Sequence, residues 1–176
     1  MRAHKAAVFA LVAFTLEALP VKAQEARTVE VTPYVAVGSA AASPIGIAFT
    51  FPVTSTLSFE TDVAYRRGEG NINALSINAN LLYFLPRVGQ ATAYVVGGVG
   101  LSQYGAPVFS SNGPPIGTET RIAPTVNAGG GLKMPMSETL DLRTDARWFK
   151  SFGLPPGQGS EQFRVAQGLS FDVGKR

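Results

Sequence analysis

The chain has 176 residues, enough for one domain, and only 15% of them are charged, below the roughly 25% of ordinary soluble domains. With no cysteine, a disulfide framework and any cysteine-based metal or redox site are excluded. Three of the 15 basic and one of the 12 acidic residues lie in the first 23 positions. The other 12 and 11 leave a net charge of +1 with no basic cluster interleaved with aromatics, so no nucleic-acid partner is expected.

The N-terminus opens with Arg2, His4 and Lys5, followed by an 11-residue apolar run from Ala6 to Leu16. Pro20 breaks a helix there, and Val21-Lys22-Ala23 fits a small-x-small cleavage site before Gln24. A spanning helix needs about 20 apolar residues, and Glu17 ends this run too early. The reading is a cleaved export signal over 1–23 and a single exported domain over 24–176.

From Thr28 onward the dominant period is two, the signature of strands with unlike faces. Eight stretches show it. The first carries Val29, Val31, Pro33, Val35 and Val37 on one face, and the second Ile45, Ile47, Phe49, Phe51 and Val53. The third carries Leu57, Phe59, Thr61, Val63 and Tyr65, and the fourth Leu75, Ile77, Ala79, Leu81 and Tyr83. Ala93, Val95, Gly97, Val99 and Leu101 make a looser fifth. Ile122, Pro124, Val126, Ala128, Gly130 and Leu132 form the sixth, and Leu140, Leu142, Thr144, Ala146 and Trp148 the seventh. Phe163, Val165, Gln167, Leu169, Phe171 and Val173 complete the eighth. Most are close to the 9–11 residues of a tilted membrane-spanning strand. Between them lie turn-rich segments such as 67–71 and 155–159.

The apolar faces carry no charge. The opposite faces collect Glu30, Glu60, Asp62, Asp141, Asp145 and Asp172 against Arg66, Arg121, Lys133, Arg143, Arg147 and Arg164. A soluble barrel would turn the apolar faces inward; a membrane barrel turns them to lipid and the charges into its lumen. Three features favour the second. Tyr65 and Trp148 fall at one end of the apolar faces, and Phe51, Tyr83 and Phe171 at the other, as two aromatic girdles. Connections at Thr54-Ser55, 86–90 and 134–138 are short, whereas the two longest, 103–120 and 150–162, share the opposite end. An even number of strands can also close without an unpaired edge in lipid. The expected architecture is an all-β, eight-stranded antiparallel up-and-down transmembrane barrel. Its lumen is filled by pairing acids and bases, since eight strands leave room only for side chains.

On the stretches Ala93-Tyr94-Val95-Val96-Gly97-Gly98-Val99-Gly100-Leu101, Asn127-Ala128-Gly129-Gly130-Gly131-Leu132 and Phe163-Arg164-Val165-Ala166-Gln167-Gly168-Leu169-Ser170-Phe171, residues 28–176 resemble the small OmpA/OmpX-like outer-membrane barrels. The resemblance implies outer-membrane lipid and the barrel-assembly machinery as partners and the cell outer membrane as location. Members of that family often end in an aromatic residue. Here Phe171 is followed by Asp172-Val173-Gly174-Lys175-Arg176.

No catalytic, cofactor-binding or metal-binding residue is expected. The sole histidine is His4, in the expected signal, so a Ser-His-Asp triad, a Cys-His pair and a His-based zinc site are excluded from the exported domain. Glu60 with Asp62, and Asp141 with Asp145, share faces as glycosidase carboxylates can, but alternating arginines favour ion pairing. Gly97-Gly98 and Gly129-Gly130-Gly131 lack the Lys-Ser/Thr of a phosphate loop and read as close-approach points in strands. The functional expectation is a structural or surface-interaction barrel, not an enzyme, that offers 103–120 and 150–162 to a surface ligand; within the first, Ser110 to Pro115 could touch a partner but reads first as a solvated surface loop. The alternatives are a narrow passive pore and a secreted soluble ligand-binding barrel.

Overall fold

A computed structural model describes residues 28–39, 43–67, 73–109, 113, 115–154 and 160–174. The expected signal, 1–23, and most of the segment 110–115 lie outside them.

Eight strands follow in order: β1 (Val29–Gly38), β2 (Ile45–Pro52), β3 (Leu57–Arg67), β4 (Asn73–Phe84), β5 (Thr92–Phe109), β6 (Pro115–Pro135), β7 (Leu140–Ser151) and β8 (Glu161–Val173). Each pairs antiparallel with the next, and β1 pairs with β8 to close the barrel. Alternating β-branched and aromatic residues suit a pleated surface, and tight turns set the pairing. In the β2–β3 turn the Val53 and Thr54 amides both donate to the Leu57 carbonyl, at 2.9 Å each. The Thr54 hydroxyl oxygen accepts from the Leu57 amide at 2.9 Å. Tight turns also join β4 to β5 and β6 to β7, so one end of the barrel is the turn end and the other the loop end.

Every face assigned from the period-two pattern lies where expected. Val35, Val37, Ile45, Ile77, Leu81, Val95, Val99, Leu101, Ile122 and Leu132 stand exposed on the outside. Glu60, Asp62, Arg143, Asp145, Arg147 and Arg164 are buried inside. The soluble alternative, with apolar residues inward, is therefore overturned. Phe51, Tyr83 and Phe171 ring the turn end, joined by Phe59, whose ring centroid lies 6.4 Å from that of Phe51. Tyr65 and Trp148 mark the loop end, joined by Phe163, which pairs with Trp148.

Two expectations need correction. Residues 103–120 are not a free loop: β5 and β6 run on as a paired hairpin of 18 and 21 residues. The ladder to β4 ends at Gly105, and the ladder to β7 begins only at Thr125. Arg121 follows the inward parity yet lies beyond the barrel wall. It is about half exposed and pairs with Glu119 at 2.8 Å. In the other long connection, Lys150 and Ser151 end β7 and Glu161 begins β8.

β5 shows why glycine recurs in this sequence. Asn80 on β4 reaches across β5 to accept from the Asn127 amide on β6, at 2.9 Å. The Thr125 hydroxyl donates to Asn78 in the same way at 3.4 Å. A Cβ at Gly98 would lie 2.1 Å from Asn80 Oδ1 and 2.4 Å from the Ala79 carbonyl oxygen. One at Gly100 would lie 2.3 Å from Asn78 Oδ1. Only glycine leaves these crossings open, and the Ala79 backbone cannot move aside cheaply. Gly98→Ala is thus expected to cost about 1–3 kcal/mol, the usual penalty of overpacking. A urea-unfolding series on the refolded barrel would measure it, and an unchanged midpoint would refute the crossing.

Candidate functional site

The lumen is built as an inside-out core. Its largest fully buried side chains include Arg147, Tyr94, Glu60, Asn78 and Asn80. At mid-height, β3 contributes Glu60 and β7 contributes Arg143, Asp145 and Arg147, brought together by closure rather than by neighbouring sequence. Arg143 Nη1 lies 2.6 Å from Glu60 Oε2. Arg147 Nη2 donates to Glu60 Oε1 at 3.0 Å and to Asp145 Oδ2 at 3.1 Å. Arg147 Nε donates to Asp145 Oδ1 at 3.2 Å. Asn80 and Thr50 complete the shell of Glu60 at 3.0 and 3.4 Å.

Tyr94 links this layer to the far wall. Its hydroxyl donates to Asp145 at 3.1 Å and accepts from Arg143 Nε at 2.8 Å. The Arg143 guanidinium also sits 5.0 Å from the Tyr94 ring centroid. Toward the turn end, Lys133 bridges Glu30 at 2.6 Å and Asp141 at 3.1 Å. Toward the loop end, Asp62 accepts from Asn78 at 3.0 Å and from Tyr34 at 2.5 Å, with Arg164 Nη2 at 3.5 Å. Arg164 lies between the rings of Tyr34 and Phe149, at 5.1 and 4.6 Å from their centroids.

This arrangement divides the carboxylate pairs. Glu60 and Asp62 point into different clusters, Glu60 with Arg143 and Arg147 and Asp62 with Arg164. Asp141 and Asp145 are likewise divided between Lys133 and the arginine pair. All four face cations as counter-ions. Among the described residues no group of three or more His, Cys, Asp or Glu could hold a metal ion.

Two cavities flank the network. One of about 10 Å³ lies among Thr32, Tyr34, Arg143, Asp145 and Arg147, about the space of a single water. A larger one of about 60 Å³ occupies the loop-end half of the lumen. Sequence reasoning missed this second chamber. Its signal is a cluster of small inward residues near the loop ends of β3, β4 and β5: Ala64, Ala74, Ser76 and Ser102.

Outside the lumen, the projecting hairpin has an open edge. The Phe152 amide donates to the Pro124 carbonyl oxygen at 2.9 Å, so Pro124 turns its backbone toward β7. By the alternation of an antiparallel ladder, Ile122, Thr120 and Thr118 turn theirs the same way. Among the described residues β7 has none to meet them, its ladder ending at Thr125 opposite Ser151.

No family profile and no curated protein matches this sequence. Solved structures do. The barrel is similar to Neisserial surface protein A, at 12% identity and a TM-score of 0.64 over 83% of this chain and 95% of that one. It is also similar to the N-terminal β-barrel domain of OprF from Pseudomonas aeruginosa, at 17% identity and a TM-score of 0.60 over 84% and 98%. A third similar structure is the outer-membrane enzyme PagL, at 12% identity and a TM-score of 0.54 over 82% and 99%. The chain has the fold of the small OmpA/OmpX-like eight-stranded barrels, a fold that hosts an enzyme as well as proteins described only as surface or outer-membrane proteins.

Proposed function

We propose that this protein is an outer-membrane barrel with a structural or surface-interaction role and no catalytic activity. The observation that carries the reading is the inversion of the core. Water-soluble proteins rarely expose apolar patches above a few hundred Å², yet here a continuous belt of Val, Leu, Ile and aromatic side chains surrounds a charged interior. Such a belt is stable against lipid tails, because closure gives each strand of the barrel wall a neighbour on both sides. Outer-membrane lipid is then the solvent of the barrel wall, and the barrel-assembly machinery the route of insertion.

The ion-pair layer across mid-lumen supports a plug rather than a pore. The β5–β6 hairpin supports surface interaction: the backbone groups of Thr118, Thr120 and Ile122, unpaired among the described residues, can pair with an extended strand of a partner protein. Pro107 and Pro124 sit where the missing amide costs no rung of the hairpin, as proline does at sheet edges.

Membrane fractionation, followed by electrophoresis of heated and unheated samples, tests the location. The expected result is recovery in the outer-membrane fraction with faster migration before heating. A soluble periplasmic protein without a heat shift would end the reading. The edge is tested separately by proline. Thr120→Pro is expected to leave the hairpin resistant to protease, because its amide faces the open side. Glu119→Pro removes an amide directed at β5 and is expected to open the hairpin to cleavage. Equal sensitivity of the two variants would show that the edge is not where the ladder alternation puts it.

A further inference from the structure

The loop-end chamber is lined by Arg66, Arg164, Gln162, Tyr104, Ser151 and Ser102, among others, and among the described residues none of its lining is an acid. Elsewhere in the lumen each cation meets a carboxylate: Lys133 has Glu30 and Asp141, while Arg143 and Arg147 have Glu60 and Asp145. Arg66 is different. Among the described residues its polar contact is with a neutral group, Gln162 Oε1, at 3.2 Å. Arg164 is shared with Asp62 at 3.5 Å, yet its side chain is only 9% exposed. Its Nε has no hydrogen-bond partner. Arg143 and Arg147 also carry N–H groups without a hydrogen-bond partner, but they lie against Glu60 and Asp145; the Arg164 Nε, beside the chamber, is open to a partner from outside the protein, a water or an anion.

We infer that this chamber is a binding site for a small oxyanion, a carboxylate or a phosphate, held between Arg66 and Arg164. The two guanidiniums present planar N–H forks suited to such oxygens. The hydroxyls of Tyr104 and Ser151, 3.0 Å apart, offer further donors. A volume of about 60 Å³ is several times that needed for one water, which suits an inorganic or short-chain anion and rejects a sugar. Charge balance gives the site its purpose: Asp62 serves Arg164, and the anion neutralises Arg66, whose described polar partner is neutral. The inference concerns the lumen alone and does not rest on the membrane reading.

The test uses the full chain refolded in detergent. Its heat-unfolding midpoint is followed against inorganic phosphate or acetate, with chloride at matched ionic strength as reference. The expected result is a saturable rise with phosphate, acetate or both, beyond that with chloride. Which of the two acts identifies the preferred oxyanion. Arg66→Gln, at a residue whose partner among the described residues is neutral, should still fold and is expected to weaken the apparent affinity by about tenfold or more, the scale of a lost charge-assisted contact. Arg121→Gln on the hairpin should leave the affinity unchanged. Phosphorus NMR line broadening of phosphate by the folded protein gives a second readout that does not depend on stability. Midpoints that follow ionic strength alone, together with unbroadened phosphate, would overturn the site. So would equal binding by Arg66→Gln.

Discussion

Glu60→Gln is expected to destabilise the barrel by about 3–5 kcal/mol, the usual result of removing one partner from a buried ion cluster. Glu60 is fully buried and is the shared counter-ion of Arg143 and Arg147. Without its charge, two buried guanidiniums are left with Asp145 as their one remaining carboxylate in the layer. Desolvation of both arginines is already complete, so the loss is not offset by rehydration. The network as a whole has a different value from its parts. Paired charges in a poorly solvated interior return little beyond their desolvation cost. Replacing Glu60, Asp145, Arg143, Arg147 and Tyr94 together by Leu, Leu, Met, Met and Phe is therefore expected to recover most of the loss. Equilibrium urea unfolding of both variants in lipid vesicles measures each effect. A Glu60→Gln barrel as stable as the original would show that water, rather than the carboxylate, balances the arginines.

Val99→Arg should give the second large effect, about 2–4 kcal/mol if the belt lies in hydrocarbon, against about 0–1 for a site at the interface. Val99 is 63% exposed and points outward midway along the barrel-forming part of β5, in register with Ala79 and Val126. Nothing in the protein packs over it, so a change in stability reports the solvent rather than a lost contact. Val53→Arg in the β2–β3 turn serves as the interfacial reference. The same unfolding assay in vesicles compares them. Equal stability of the two variants would place the belt outside the hydrocarbon and undercut the proposed location.

These effects bear on how much the amino-acid order reveals by itself. The facing of each strand was readable because one side of every stretch carries no charge. A slip of one residue would have put Arg143 and Asp145 among the leucines of β7, which fixes the choice. The hairpin was not readable in the same way. Gly105, Pro107, Pro115 and Gly117 are ordinary turn signals, and they read as a loop. Pro107 is tolerated there because β4 has ended at Gly105 and no outer neighbour asks for its amide. The same extension moved Arg121 out of the lumen: alternation gives a side chain's direction, not its height above the barrel wall. The ion-pair partners were also hidden. Glu60 and Arg147 are 87 positions apart, and only closure of the sheet selects Arg147 over Arg121 or Arg164. The acid-free chamber has the same origin, since its lining gathers from seven strands and no local motif marks it.

The pairing between β1 and β8 runs from Val29 opposite Val173 to Gly38 opposite Arg164, but it skips Thr32 and Pro33. Proline has no amide to give, and the Thr32 and Ser170 hydroxyls meet across the gap at 2.7 Å. This seam joins the two ends of the described chain, so it carries the greatest loop-closure entropy of any ladder and is expected to form last. An interrupted ladder is also the easiest to part. Amide protons of β1 and β8 beside Pro33 should accordingly exchange ahead of those on β3 and β4. The cylinder thus has a zip, and its weakest tooth lies directly over Tyr34 and its bond to Asp62.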